Sequence, residues 1–412
     1  MMKKLQRAWL TFCTLLLATV VMAQTDTTVV RDSVAADSVT IVADSMPERM
    51  KIAILTSLYL DSAFDAAGNY QYDDKQFHPF GKAGLEFWEG AQLAIDSLKK
   101  EGLKLDIHVF DTRSTRIPFD SLIAGNHLRS MNLIIGHVNL NEAAQLARFA
   151  AVLNIPFINT NVPNDAEVTN NPNYVVLNST LFTHCNGIYK FLQRNFALSN
   201  IVVFRKKGAA EDRLRQYFTE IEKNTNSVAL KLKYVTLPDN FNTAHLTAHL
   251  DSNSTNVVLA GSLDLKFAQS LCQQLSSLSR NYTTTIFGMP NWDDIDFTKS
   301  LYRGIEVYIT TPFYIDPANK LAGALNNFYR KEFFVPASPT VYLGYETIYH
   351  FAHLLDIHKE NIGSSLGDKK YILFTDFDIQ PVINRQSQTL DYFENKKLYM
   401  VKKVDGVVKA VY

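Results

Sequence analysis

The sequence contains only one long run of apolar residues, from Ala8 to Val21, although 47% of its 412 residues are hydrophobic. This run has about 14 residues, whereas a helix needs roughly 20 to span a bilayer. Because no second run of this kind follows, a protein with several membrane spans is excluded. The other hydrophobic residues are expected to form the core of a folded protein, and the length predicts two domains or lobes.

The apolar run is typical of a cleavable secretory signal peptide over residues 1–23. Basic residues precede the run, and the small residue Ala23 closes it. The alternative, a retained membrane anchor, is disfavoured by the length of the run. Cys13 lies inside the run rather than behind it, which argues against lipid attachment. We expect cleavage near Ala23 and a periplasmic or secreted protein that does not insert into a membrane after cleavage.

The sequence also lacks an excess of charge of either sign, since 41 basic residues balance 41 acidic residues. Removing the three basic residues of the signal from the 41 leaves 38 basic against 41 acidic residues. A chain so near neutrality offers no electrostatic footprint for a nucleic-acid backbone or an anionic membrane surface. Nucleic acid is therefore excluded as a partner.

Cysteine is scarce, with Cys185 and Cys272 alone remaining after the signal. An oxidising compartment permits a disulfide between them. Both lie in predicted helices, where buried free thiols are more common, so free thiols are the favoured alternative. The spacings of zinc and thiol-redox motifs are absent.

Sequence motifs for catalysis are missing as well. There is no phosphate-binding glycine loop, no nucleophile elbow and no Ser-His-Asp arrangement. His245 and His249 have the spacing of a helical zinc pair but lack the glutamate that would act as a base. We expect no catalytic residues, no metal site and no cofactor, and conclude that the protein is not an enzyme.

A polar segment separates the signal from the first predicted strand. Residues 24–48 contain no aromatic residue and no glycine and are rich in Asp, Ser, Thr and Val. Such a composition has few large side chains to offset the entropy lost on ordering. Residues 24–49 are therefore predicted to be a flexible linker.

From Met50 onward, short apolar runs alternate with amphipathic segments. Four predicted strands lie within residues 50–160 and four more within residues 200–290. A helix over 82–100 is predicted to end at Gly102. This alternation indicates an α/β fold with two doubly wound parallel-sheet lobes and helices on both faces of each sheet. Ligands bind at the carboxyl ends of the strands in such sheets, so the two lobes predict a cleft.

Three segments carry a resemblance to a known family. They are PFGKAGLEFWEGAQLAIDSLKKEG, LIIGHVNLNEAAQLARFAAVLNIPFINTNVPN and VYLGYETIYHFAHLL. In order and spacing they resemble the type I periplasmic binding proteins, whose best-known members bind leucine, isoleucine and valine. The resemblance covers roughly residues 50 to 400.

The resemblance implies a periplasmic binding protein-like fold with a three-segment hinge. The hinge is expected near residues 174–178, 310–313 and 371–377. The first lobe is expected to comprise residues 50–175 plus 313–372. The second lobe is expected to comprise residues 176–312 plus 373–412.

The resemblance also places ligand contacts on the loops that follow the strands and at the start of the first long helix. The expected ligand-binding residues are Phe80, His137, Val138, Asn139, Asn159, Thr160, Asn161, Ser262, Asn291 and Trp292. Free amides at the start of the helix after Asn139 favour an anion or a carbonyl oxygen. The alternative is that the asparagines only shape turns.

Two features bear on the kind of ligand. Ser262 and Asn291 stand where amino-acid-binding members have an aromatic and an acidic residue, which disfavours an α-amino acid. The loop from Ser57 to Phe80 holds six aromatic residues. They suit either a planar, apolar or sugar ligand at the cleft mouth or a small satellite core under the loop.

The predicted function is an extracytoplasmic solute-binding protein that closes two lobes on a small ligand of unspecified class. As a transport receptor, its partners would be an ABC permease and its ATPase. As a sensor, its partner would be another envelope protein. The alternative is an interaction protein of the envelope that keeps the fold with a degenerate cleft.

Overall fold

The computed structural model describes residues 49–72, 79–359, 362–384, 386–405 and 407–411. The expected signal peptide and most of the expected linker lie outside these ranges. Within them, no helix combines the length and the apolar character that a bilayer crossing requires.

The first lobe is built on a seven-stranded sheet. Its strands are β1 (Met50–Thr56), β2 (Leu105–Asp111), β3 (Leu133–His137), β4 (Phe157–Asn159), β5 (Tyr174–Val176), β11 (Ile379–Ile383) and β12 (Leu390–Asn395). Their order across the sheet is β11-β12-β5-β4-β3-β1-β2. All neighbours pair in parallel except β11, which is antiparallel to β12 at the edge.

The second lobe has a seven-stranded sheet of similar plan. Its strands are β6 (Ile201–Arg205), β7 (Leu232–Thr236), β8 (Asn256–Ala260), β9 (Thr284–Phe287), β10 (Glu306–Thr311), β13 (Tyr399–Val404) and β14 (Val407–Val411). Their order is β14-β13-β10-β9-β8-β6-β7. The first five are parallel, and β13 pairs antiparallel with both β10 and β14.

Helices cover the sheets. They are α1 (Leu60–Ala63), α2 (Lys82–Lys100), α3 (Phe119–Ala124), α4 (Leu140–Leu153), α5 (Leu181–Phe196), α6 (Ala209–Lys223), α7 (Thr243–Thr247), α8 (Leu265–Leu278), α9 (Lys320–Phe333), α10 (Pro339–His358) and α11 (Ile362–Ser365). Successive side chains of β1 point to opposite faces of the sheet, and both faces are buried. Ile52 and Ile54 pack with α2 and α10 on one face. Ala53 and Leu55 pack with α4 on the other.

The predicted α/β class with two lobes is confirmed, with mixed rather than wholly parallel sheets. The helix predicted over 82–100 is confirmed as α2, and Gly102 follows it with a φ of 90°. That left-handed backbone is the reason for a glycine at this position. The short helix α3 ends at Ala124, where Gly125 follows in an extended conformation.

The chain crosses between the two sheets at residues 177–180, 312–319 and 396–398. The first two crossings lie close to the expected hinge segments. The third was expected at 371–377, and this expectation is wrong. Residues 379–395 were expected in the second lobe, but they form the β11–β12 hairpin at the edge of the first sheet.

The segment expected to cross is fastened to the first lobe by Glu346 of α10. The Glu346 carboxylate accepts hydrogen bonds from the backbone N–H groups of Leu373 (3.0 Å), Phe374 (2.7 Å) and Thr375 (2.8 Å). Burial raises the pKa of Glu346, and these three donors oppose that rise. The contacts hold residues 373–375 on α10, so the chain stays in the first lobe for two more strands.

Asn395, at the end of β12, ties the first and third crossings together. Its fully buried amide donates to the Leu177 carbonyl (3.2 Å) and accepts from the N–H groups of Asp378 (3.0 Å) and Lys397 (3.1 Å). Its own backbone carbonyl accepts from the Ser179 hydroxyl (2.6 Å). One side chain therefore satisfies backbone groups in two of the three crossings.

Glu394 adds a second link between the same crossings. Its buried carboxylate accepts from the Thr180 backbone N–H (2.8 Å) and hydroxyl (2.9 Å) and pairs with the Lys396 ammonium group (2.5 Å). Lys396 also donates to the hydroxyl of Thr183 in α5 (3.0 Å). The first turn of α5 in the second lobe is thus attached to the end of β12 in the first.

Replacing Asn395 with alanine is expected to lower the free energy of unfolding by about 2 to 3 kcal/mol, because it leaves buried backbone groups without partners. Urea unfolding of the protein comprising residues 24–412 measures the change. The matched control is the exposed Asn253, whose replacement with alanine is expected to change stability by less than about 0.5 kcal/mol. Equal effects of the two substitutions would show that Asn395 does not brace the hinge.

Candidate functional site

The carboxyl ends of the first-lobe strands meet along one edge of the sheet. The register pairs Thr56 with both Asp111 and His137, and Gly136 with Asn159. Parallel pairing therefore places the loops after β1, β3 and β4 side by side, as expected for a ligand site in this architecture.

The loop after β3 supplies its own partners for the backbone amides at the start of α4. Asn139 and Glu142 form a capping box, in which each side chain accepts from the other residue's backbone N–H, at 2.9 and 3.0 Å. The Val138 N–H donates to the Asn161 amide oxygen (2.9 Å). Of the amides expected to be open at the start of α4, that of Glu142 is therefore paired within the lobe, as are those of Val138 and Asn139 just before the helix.

Glu142 also places a negative charge at this end of α4. The residue is only 4% exposed, and its carboxylate lies 3.0 Å from the Arg113 guanidinium. Burial raises the pKa of Glu142, while the Asn139 N–H and the nearby Arg113 oppose the rise. The loop thus already contains an anion at the place where the helix dipole favours one.

His137 ends β3 and is held from two sides. Its ring stacks on Phe87 of α2 with a centroid separation of 4.8 Å, and its Nδ1 lies 3.2 Å from the Thr160 hydroxyl oxygen. Burial lowers the pKa of His137 to about 4. The imidazole is therefore neutral and fixed in orientation near pH 7.

Asn159 and Thr160, which were expected to contact a ligand, are fully buried. The Asn159 amide donates to the Val162 carbonyl (3.0 Å) and the Tyr174 hydroxyl (3.0 Å) and accepts from the Val162 N–H (3.1 Å). For Asn159, these contacts correspond to the alternative in which asparagine shapes the turn. The partly exposed Asn161 is the member of the triplet whose side chain reaches the loop after β3.

The aromatic residues of this loop that the structure describes form two groups, and Phe77 lies outside the described residues. Phe64, Tyr70 and Tyr72 pack on one another, with ring centroids 5.6 and 5.8 Å apart. These three match the satellite-core alternative. Phe80 is 69% exposed and lies with its ring 6.4 Å from that of Tyr59, which follows β1 closely. An aromatic surface therefore remains beside the first-lobe strand ends.

In the second lobe, Ser262 is fully buried and engaged by charged neighbours. Its hydroxyl donates to Glu211 (2.6 Å) and accepts from the Asp264 N–H (3.1 Å). Lys206, directly after β6, pairs with Asp264 at 2.6 Å. The hydrogen bond raises the pKa of Lys206 and lowers that of Asp264. Sequence reasoning missed this ion pair, although a lysine immediately after a buried strand was a usable signal.

Asn291 and Trp292 lie in a 3-10 turn spanning Pro290–Asp294. The Asn291 amide nitrogen donates to the Leu263 carbonyl (2.6 Å), and its buried amide oxygen has no hydrogen-bond partner in the described structure. Trp292 is fully buried in the second-lobe core, so close to Gly288 that a Cβ there would lie 2.3 Å from the indole. The buried indole therefore anchors the Pro290–Asp294 turn to the second-lobe core.

Other chemistry is sparse across the described ranges. Cys185 and Cys272 are buried free thiols, and burial raises the pKa of each. No group of three or more potential metal ligands is found among the described residues. One surface pocket lies against Arg148 and Phe149 of α4, and another lies at the carboxyl end of β7, between Thr236 and His245.

Comparison with protein-family models and with curated protein sequences gives no match. Solved structures do match. A Rhodospirillum rubrum protein assigned as a branched-chain amino acid ABC transporter aligns with a TM-score of 0.64 at 10% identity, covering 88% of this chain and 100% of that chain. An ABC transporter substrate-binding protein from Desulfitobacterium hafniense, in complex with leucine, aligns with a TM-score of 0.58 at 12% identity, with the same coverage of both chains.

A leucine-binding protein from Thermotoga maritima also aligns, with a TM-score of 0.51 at 14% identity over 88% of this chain and 98% of that chain. At such identities the likeness shows the fold. The chain has the two-lobed fold of the type I periplasmic binding proteins, and the expected resemblance is confirmed at that level.

Proposed function

We propose that the protein is an extracytoplasmic solute-binding protein that closes its two lobes on a small ligand. The observation that carries this proposal is that three chain crossings connect two α/β sheets, each with polar loops at its strand ends. Such an arrangement suits hinge closure around a ligand. The similar solved structures are described as substrate-binding or transport proteins, which supports the same reading.

Location and partners are part of the proposal. The signal-like segment supports a periplasmic or secreted protein released near Ala23. The partner would be an ABC permease with its ATPase in transport, or an envelope protein in sensing. The protein would act by binding alone, without a catalytic step or a cofactor.

We propose that the ligand-contacting side chains are the exposed or half-buried ones among those predicted, together with His137, which is buried to 9% exposure. These are Phe80, His137, Asn139, Asn161 and Asn291. The other predicted residues would hold the loops in shape from inside the lobes, namely Val138, Asn159, Thr160, Ser262 and Trp292.

A second candidate is an interaction protein of the envelope that keeps the fold without a working cleft. It is favoured by one observation, which is that most predicted polar contacts already have partners inside the protein, as with Ser262 and Glu211. Thermal unfolding of residues 24–412 in the presence of amino acids, peptides, sugars, nucleosides and polyamines separates the two candidates. Stabilisation by one chemical class supports the solute-binding role, and no stabilisation by any of them rejects it.

Replacing Phe80 with alanine is expected to weaken a compound found in this way by about fivefold, because an aromatic contact contributes about 1 kcal/mol. Titration calorimetry of the variant measures the loss. Phe334 is a control of similar exposure, since it is 65% exposed and directly follows α9. If Phe80→Ala and Phe334→Ala bind equally well, the aromatic surface is not part of the ligand site.

A further inference from the structure

The protons around His137 can be assigned from its neighbours. The Thr160 hydroxyl oxygen lies 3.0 Å from the Gly136 carbonyl oxygen and 3.2 Å from His137 Nδ1. A carbonyl oxygen only accepts, so both contacts are hydrogen bonds only when the single hydroxyl proton of Thr160 points to Gly136, whose carbonyl also accepts from the Thr160 N–H (3.0 Å). The Thr160 oxygen can then only accept from His137, which places the imidazole proton on Nδ1.

The other ring nitrogen is left with a lone pair. A neutral imidazole protonated at Nδ1 has an unprotonated Nε2, which is a hydrogen-bond acceptor. His137 retains 9% of its surface in contact with solvent. In the described structure Nε2 makes no hydrogen bond, and protein atoms do not fully enclose it. It is thus an accessible acceptor at the carboxyl end of β3.

The surroundings disfavour a negative ligand group at the same place. The N–H groups of Val138, Asn139 and Glu142 are already paired within the lobe. The Glu142 carboxylate occupies the first turn of α4. A ligand carboxylate would lack these donors and would have to compete with the Glu142 carboxylate for the Arg113 guanidinium, which lies 3.0 Å from Glu142.

We propose that Nε2 of His137 accepts a hydrogen bond from the ligand, so that the ligand presents an N–H or O–H group, and not a carboxylate, to the first lobe. This inference rests on the proposed solute-binding function and narrows it to ligands such as amines, amides or polyols. Thr160 is a positioning residue in this account, because it fixes which nitrogen carries the proton. Burial keeps the pKa of His137 at about 4, so the acceptor is available at neutral pH.

Nitrogen NMR of the protein labelled with ¹⁵N-histidine tests the proton assignment in the free protein. The His137 resonances are assigned by their loss in His137→Gln. We expect Nδ1 to be protonated and Nε2 unprotonated at pH 7. In Thr160→Val, which removes the acceptor for Nδ1–H, a population protonated at Nε2 is expected to appear. Protonation at Nε2 in the unaltered protein would overturn the inference.

Two small probes then test the preference for a donor. Methylammonium chloride is expected to shift the His137 Nε2 resonance in a saturable way, and sodium acetate at equal ionic strength is expected to leave it in place. A saturable shift with acetate, or none with methylammonium, would overturn the inference.

For a compound that stabilises the protein, His137→Phe is expected to weaken binding at least tenfold, while His137→Gln, whose amide oxygen can accept in place of Nε2, retains most of it. Equal binding by the two variants overturns the inference while leaving the solute-binding function intact. The reverse case is also distinguishable, since a failed compound screen rejects the function, and the NMR measurements decide the His137 assignment independently.

Discussion

Replacing Gly90 or Gly344 with alanine is expected to lower the free energy of unfolding of the first lobe by about 3 kcal/mol. The two glycines lie where α2 and α10 touch. A Cβ on Gly90 would be 1.9 Å from the Val341 carbonyl oxygen, and a Cβ on Gly344 would be 2.1 Å from that of Phe87. Both clashes are with backbone atoms, so no side-chain rotation relieves them and the helices must move apart.

The tryptophans allow each lobe to be followed separately. After removal of the signal, Trp88 in α2 packs against the first-lobe core and Trp292 lies in the second-lobe core. Fluorescence during urea unfolding, repeated in a Trp292→Phe background, reports on the first lobe alone. The expected result is a lower urea midpoint for the Trp88 signal in both glycine variants.

Gly323 provides the control for the loss of glycine itself. It lies in α9, and a Cβ there would have no atom within 4 Å. Gly323→Ala is expected to raise stability by about 0.5 to 1 kcal/mol, because alanine is the better helix former. Similar effects for Gly90→Ala and Gly323→Ala would contradict the close contact of α2 and α10.

Acidification from about pH 6.5 to pH 4 is expected to destabilise the protein by up to about 3 kcal/mol for each of three buried histidines. Burial lowers the pKa of His137, His184 and His350 from 6.5 to about 4 in the folded protein. Between these values the unfolded chain binds more protons than the folded one, so the free energy of unfolding falls as the pH falls. Their contribution is fully present above pH 6.5.

A substitution at His350 measures the share of this pH dependence that comes from one histidine. It is fully buried against Phe351 and Phe377, and neither ring nitrogen makes a well-aligned hydrogen bond within the described structure. In His350→Phe, urea midpoints measured from pH 7 to pH 4.5 are expected to fall by roughly a third less than in the unaltered protein. Replacing the exposed His245 with glutamine is the control. An unchanged pH dependence in His350→Phe would show that His350 does not resist protonation in the folded state.

The central strands and long helices could be predicted from the sequence because their side chains are strongly patterned. β1 is apolar and buried from Ile52 to Leu55, as a strand covered on both faces requires. The edge hairpin was missed for the opposite reason. β11 contains Pro381 and is largely exposed, and an edge strand tolerates both features. The third crossing was misplaced because it depends on this hairpin.

The position of the site could be predicted from the sequence, but the hydrogen-bond partners of its side chains could not. The strand-end loops follow from the order of the elements, yet the hydrogen bond between Ser262 and Glu211 joins residues 51 positions apart. Nothing local in the sequence indicates such a partner. The capping box was readable, since Asn139 is followed three residues later by Glu142. It was the available sign that the N–H group of Glu142 in the first turn of α4 already has a partner.

Small-angle X-ray scattering of residues 24–412, free and saturated with a compound that stabilises the protein, tests the closing of two lobes on a ligand most directly. The account predicts that the radius of gyration falls on saturation, because the hinge at residues 177–180, 312–319 and 396–398 lets the strand ends of the two sheets approach each other. A radius of gyration that stays unchanged while calorimetry shows the compound bound would contradict it.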